Sequence, residues 1–118
     1  MQSGPGVERK SFWMSDLVRI CSEKDLPGEG EACEVTFHRK QFCVARSGGE
    51  IAVMDNLCPH NEGPLGQGLV ENGRVVCPWH AWAFDVKTGE AQQNGRARVQ
   101  IYKAKVENGS LLIELPEF

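Results

Sequence analysis

Two short clusters constrain this 118-residue chain more than anything else in it: Cys58-Pro59-His60 and Cys77-Pro78-Trp79-His80. The pattern reads Cys-x-His, then the sixteen residues 61 to 76, then Cys-x-x-His. Each cluster supplies one thiolate and one imidazole, and each follows a run with strand character. Whatever fold the chain adopts must bring these two loops to one point. A lone Cys or His in a small β protein is usually a packing residue. Two matched pairs, each with proline after the cysteine, are not explained by packing, and they use two of the chain's three histidines. Two thiolates and two imidazoles suit tetrahedral zinc and iron–sulfur chemistry alike. Zinc fingers usually group cysteines with cysteines and histidines with histidines. Here each loop carries one of each, which suits a two-iron centre with the cysteines on one iron and the histidines on the other.

The remaining composition narrows the setting. Five cysteines cannot all pair within one chain. Met1 to Gly6 has no apolar h-region, so no signal peptide is expected, and thiols or metal ligands are a better reading than a disulfide framework. Thirteen Lys plus Arg against sixteen Asp plus Glu give a net charge of -3. That balance does not attract a phosphate backbone, so no nucleic-acid partner is expected. No run of about 18 apolar residues is present, so no membrane helix is expected, and the chain is read as cytoplasmic. Residues 1–10 read as a polar leader and residues 11–118 as one domain.

Between frequent glycine turns lie short strand-like runs: Leu17 to Ile20, Ala32 to His38, Gln41 to Arg46, Glu50 to Asp55, Val75-Val76, Trp82 to Val86, Val99 to Val106 and Leu111 to Leu115. Ser22 to Asp25 reads as one capped helical turn before Pro27-Gly28. Arg39-Lys40 and Ser47-Gly48-Gly49 read as turns, while Asn72-Gly73 and Asn108-Gly109 are strong hairpin signals. No window holds a helical period. The reading is all-β, with short antiparallel strands and a long glycine-rich excursion near residues 57 to 73.

Cys58-Pro59-His60 and Cys77-Pro78-Trp79-His80 resemble the two cluster loops of Rieske [2Fe-2S] proteins, and the turn-rich β pattern of residues 17 to 115 is compatible with that fold. The resemblance implies a cluster-binding subdomain built from two loops within about residues 56–86. It implies a [2Fe-2S] cofactor with Cys58 and Cys77 on the inner iron and His60 and His80 on the outer iron. Replacing two thiolates by neutral imidazoles removes negative charge from the cluster and raises its potential relative to an all-cysteine cluster.

Departures from the family indicate which kind of Rieske protein this resembles. The respiratory and photosynthetic cytochrome-complex subunits carry an extra cysteine in each loop, where this chain has Gly63 and Trp79. They also carry Ser and Tyr hydroxyls where it has Trp82 and Phe84. Fewer donors to the cluster imply a potential toward the low end of the Rieske range, which begins at about -150 mV. An oxygenase catalytic subunit would need a second, mononuclear iron site, and only His38 remains for it. The resemblance therefore implies a one-electron carrier, not a catalyst by itself, passing electrons from a flavin reductase to an oxygenase. A small subunit of assimilatory nitrite reductase, docked on that enzyme's large subunit, is the alternative, and a structural zinc module is a third.

The other residues have plainer readings. Trp79 is either a packing residue or part of a docking face. Trp82 and Phe84 read as core, Cys21, Cys33 and Cys43 as buried structural thiols, and His38 as solvated. Gln92-Gln93-Asn94-Gly95-Arg96 stands where the family often has a proline-containing third loop, which points to a more mobile loop or a more exposed cluster. The acidic stretch Asp25, Glu29, Glu31, Glu34 and the basic stretch Arg96, Arg98, Lys103, Lys105 are solvated faces or partner-steering patches.

Overall fold

The computed structural model describes residues 17–59, 62–79 and 81–115. The leader expected over residues 1–10 lies outside them, as do His60 and His80. Among the described residues, ten short strands form three antiparallel sheets. The central sheet holds β2 (Ala32–Phe37), β3 (Lys40–Ser47), β4 (Glu50–Asp55) and β8 (Ile101–Tyr102) in the order β2-β3-β4-β8. A second sheet joins β1 (Leu17–Ser22), β10 (Ser110–Glu114) and β9 (Ala104–Glu107). The third is β5 (Leu69–Glu71), β6 (Arg74–Val76) and β7 (Ala83–Asp85), which carries one of the cysteine loops.

The run Phe42-Cys43-Val44-Ala45 explains how these sheets stack. All four residues are buried, because β3 is covered on both faces. Successive side chains of a strand point to opposite sides. Phe42 and Val44 join Ile20, Val53, Tyr102, Leu111 and Ile113 under the β1-β10-β9 sheet. Cys43 and Ala45 join Met54, Cys58, Leu65, Val75, Cys77 and Phe84 on the other side. The cysteine loops therefore share a core with the back of the central sheet. Phe84 is fully buried and Trp82 packs partly buried against the same core, as expected of both.

The hairpin signals hold where glycine and asparagine supply left-handed backbone. Asn72 (φ 52°) and Gly73 (φ 75°) close β5–β6, and Asn108 (φ 53°) and Gly109 (φ 79°) close β9–β10. Ser22 caps the single turn Glu23–Asp25 by accepting the Lys24 N–H, as the sequence indicates. Three expectations change. The turn read at Arg39-Lys40 lies one residue earlier, because Phe37 pairs with Lys40 and leaves His38 and Arg39 as the loop. The run Val99 to Val106 is two strands, because the chain leaves the central sheet after Tyr102 and enters the other sheet at Ala104. Within the excursion near 57 to 73, Leu69–Glu71 forms a further strand on β6.

His38 and Arg39 take φ values of 51° and 70°, a conformation that ordinary side chains enter at a cost of roughly 1–2 kcal/mol each. Both are exposed. His38→Asn with Arg39→Gly is therefore expected to stabilise the chain by about 1–2 kcal/mol, read as a higher urea midpoint at unchanged slope. An unmoved midpoint would mean that this turn stores no strain.

Candidate metal centre

The two cysteine loops have the same backbone closure. In the first, the Cys58 N–H donates to the Gly63 carbonyl at 2.9 Å and the Glu62 N–H donates back to the Cys58 carbonyl at 2.6 Å. In the second, the Cys77 N–H donates to the Trp82 carbonyl at 2.7 Å and the Ala81 N–H donates to the Cys77 carbonyl at 3.1 Å. The fourth residue after each cysteine, Glu62 or Ala81, is left-handed, with φ near 60° in both (63° and 59°). Proline directly after each cysteine restricts that cysteine to extended backbone and sets its own φ, so the chain enters both loops alike. The shared sequence Cys-Pro thus becomes a shared shape.

These loops bury their cysteines and expose their rims. Cys58 is 0% and Cys77 1% exposed, and Cys77 lies in hydrogen-bonding contact with Cys58. Burial pushes the Cys77 thiol up, and the neighbouring Cys58 adds to this. The Trp79 N–H, which donates to the Cys77 sulfur, opposes it. Two adjacent buried sulfurs, one already accepting a backbone N–H, form a soft donor pair that fits an iron–sulfur cluster. Around them Leu57 and Trp79 are exposed at 57% and 52%, beside exposed Pro59 and Pro78. The other cysteines lie elsewhere. Cys43 is buried beneath the site, where desolvation pushes its thiol up to about 12, whereas Cys21 and Cys33 are only half-buried. No disulfide joins any of the five. His38 is solvent-exposed, as expected, with its ring 4.2 Å from that of Phe37.

The third loop, Gln92 to Arg96, is exposed and tied to β7 without proline. The Gln92 N–H donates to the Ala83 carbonyl at 2.8 Å, and the Ala83 N–H donates to Gln93 Oε1 at 3.1 Å. Much of the acidic stretch serves the fold. The Glu29 carboxylate accepts the N–H groups of Gly48 and Gly49, and Glu31 accepts that of Gly28. In the basic stretch, Arg98 is paired with Glu90 at 2.7 Å.

A family model for the Rieske [2Fe-2S] domain matches residues 16–104. The chain belongs to the Rieske [2Fe-2S] family. Membership carries the [2Fe-2S] cofactor with it and sets aside the zinc module. The ferredoxin component of the naphthalene 1,2-dioxygenase system of Pseudomonas putida is 35% identical to this Rieske chain over 92 residues, 74% of this chain and 85% of that protein. The solved Sphingomonas yanoikuyae B1 ferredoxin superposes with a TM-score of 0.73 at 28% identity, over 84% of this chain and 98% of that one. Apoptosis-inducing factor 3 of Mus musculus is 30% identical over 95 residues, and the chain spans only 16% of its length. Among the described residues no helix is long and apolar enough to cross a membrane.

Sequence reasoning missed the residues that hold the first loop in place. Asn56, the one buried polar residue among those described, joins the two ends of that loop and ties them to Glu34 on β2. An asparagine between a strand and a Cys-Pro pair was the available signal, but its partner lies 22 residues away.

Proposed function

We propose that this chain is a one-electron carrier whose cluster is held by Cys58, His60, Cys77 and His80, and that it delivers electrons to an oxygenase. The observation that carries this reading is the pair of matched loops, which place two buried sulfurs side by side under an exposed apolar rim. The family's cluster, when bound, supplies a centre that accepts and releases a single electron. The residues of the chain do the rest. Burial shields the sulfurs from water, while Leu57 and Trp79, each next to a cysteine-loop residue in the chain, present an exposed apolar surface on which a partner can sit. The relatives it covers nearly end to end are named ferredoxins, which favours a carrier over a catalyst. A flavin reductase is the proposed donor, and the cytoplasm the proposed compartment. With no hydroxyl at Trp82 or Phe84, the proposed potential lies near the low end of the Rieske range.

Chemical assay of the purified chain is expected to give two irons and two acid-labile sulfides per chain, with reversible one-electron reduction. Stoichiometric zinc without sulfide would sink the reading. The docking rim has its own test. Trp79→Ala is expected to leave iron content unchanged and to slow reduction of a terminal oxygenase by about 10-fold, the effect of losing a central aromatic contact worth about 1.4 kcal/mol. An unchanged rate would make Trp79 a bystander.

A further inference from the structure

The neck of the first cysteine loop is closed by one side chain. Asn56 is 2% exposed. Its Oδ1 accepts the Gly66 N–H at 2.7 Å, and its backbone carbonyl accepts the Leu65 N–H at 2.7 Å. The segment that leaves at Leu57, carries Cys58 and returns at Leu65 is thus pinned at both ends to one residue. The other side of the amide faces the central sheet, where Asn56 Nδ2 donates to Glu34 Oε2 at 2.8 Å. Glu34 also accepts from Gln67 Nε2 at 3.4 Å, one residue past the neck.

The fit leaves no slack. A Cβ on Gly66 would come within 2.5 Å of Glu34 Cγ and 2.8 Å of both Asn56 Oδ1 and the Cys33 carbonyl. Only an amide satisfies both neighbours at position 56. It must accept from a backbone N–H on one side and donate to a carboxylate on the other. Leucine would orphan both neighbours, and aspartate would set a second carboxylate against Glu34. A buried polar group with both of its directions used is a positioning device, because either loss leaves an unpaired group in the core.

We infer that Asn56 and Glu34 are positioning residues for the cluster: they fix the Cys58 loop against β2 and thereby set the geometry in which Cys58 meets Cys77. This rests on the cluster reading proposed above. Both residues act at the neck of the first loop, through Gly66, Leu65 and Gln67, so the effect is transmitted to Cys58 from there. The reciprocity of the hydrogen bonds supplies the test. Asn56→Asp puts two carboxylates face to face. Adding Glu34→Gln turns the partner into a donor and restores the bond with its polarity reversed.

The parent protein is measured first for iron, sulfide and its reduced-state electron paramagnetic resonance spectrum; absence of a cluster there would sink the cluster reading itself, and this inference with it. Given a loaded parent, Asn56→Asp is expected to lose its cluster to an excess of ferrous-iron chelator about 10-fold faster and to show shifted g-values. The double variant is expected to return both readouts to parent values. A merely structural role would lower the melting temperature and leave the spectrum in place. A parent-like spectrum and chelation rate in Asn56→Asp, or a double variant that restores neither, would overturn the inference. If Asn56→Asp does not fold, Glu34→Leu at the half-buried β2 position carries the same expectation, and a parent-like chelation rate and spectrum there would overturn it equally.

Discussion

A chain carrying Cys58→Ser is expected to retain neither iron nor acid-labile sulfide and to show no reversible reduction signal, and Cys77→Ser is expected to behave the same way. Serine is a hard, neutral ligand near pH 7, whereas the cluster is held by thiolate. Both cysteines are enclosed and in contact with each other, so each substitution removes one sulfur of a closed pair. The substitution also buries a hydroxyl in an apolar core, which destabilises by about 1–3 kcal/mol if it finds no partner. A control separates that cost from loss of ligation. Cys43 is equally enclosed in the same core, but desolvation holds its thiol protonated at any ordinary pH, with its titration pushed up to about 12. Cys43→Ser is therefore expected to lower stability by a similar amount and to keep full iron content. Visible absorption, iron assay and a urea midpoint on the three variants check the contrast. Reversible reduction in Cys58→Ser, or loss of iron from a folded Cys43→Ser, would show that the donor pair has been misassigned.

Some of this arrangement was legible in the sequence because the requirement is local. Asn72-Gly73 and Asn108-Gly109 announce their turns, since a two-residue hairpin needs positive φ and these residues reach it at little cost. The Phe42 to Ala45 run reads as strand from its aromatic and β-branched residues. The convergence of the two Cys-Pro loops reads from spacing, and the structure brings Cys58 and Cys77 into contact. What stayed hidden depends on partners distant in the chain. Leu69–Glu71 is a strand only because β6 lies beside it, and three residues between glycine-rich segments carry no period of their own. The break at Lys103 has no local marker, since Tyr102 and Ala104 differ only in the sheet that receives them. His38-Arg39 defeats turn rules because neither residue favours the left-handed region, and the register Phe37↔Lys40 imposes it. The clamp of Asn56 on Glu34 is a tertiary contact between a loop neck and an edge strand, invisible to any short window.

Gly68→Ala is expected to be severely destabilising. Gly68 follows the short turn Leu65–Gln67 that ends the first cysteine loop. Its backbone is extended, so conformational strain is not the issue; space is. A Cβ there would lie 1.9 Å from the Val76 carbonyl oxygen and 3.1 Å from its carbon, with the Leu65 carbonyl oxygen at 3.3 Å. All three are backbone atoms, and none can turn aside as a flexible side chain would. Val76 pairs with Leu69 across β5–β6 and directly precedes Cys77. An alanine must therefore either lift β5 from β6 or displace the strand that delivers Cys77 to Cys58. Overpacking against rigid neighbours costs about 3 kcal/mol, which for a chain of this size lowers the melting temperature by about 10 °C. Gly95→Ala is the matched control, because a Cβ at Gly95 meets nothing within 4 Å. The melting curve alone reports the clash, and iron content at a temperature where both variants are folded reports which way the strain is relieved. Lifting β5 leaves loading intact, whereas displacing Val76 moves one sulfur of the pair and lowers it. Because Cys77 follows Val76 with no intervening residue, loss of iron is the expected result, and a Gly68→Ala chain that melts alongside Gly95→Ala would refute the close approach of the two loops.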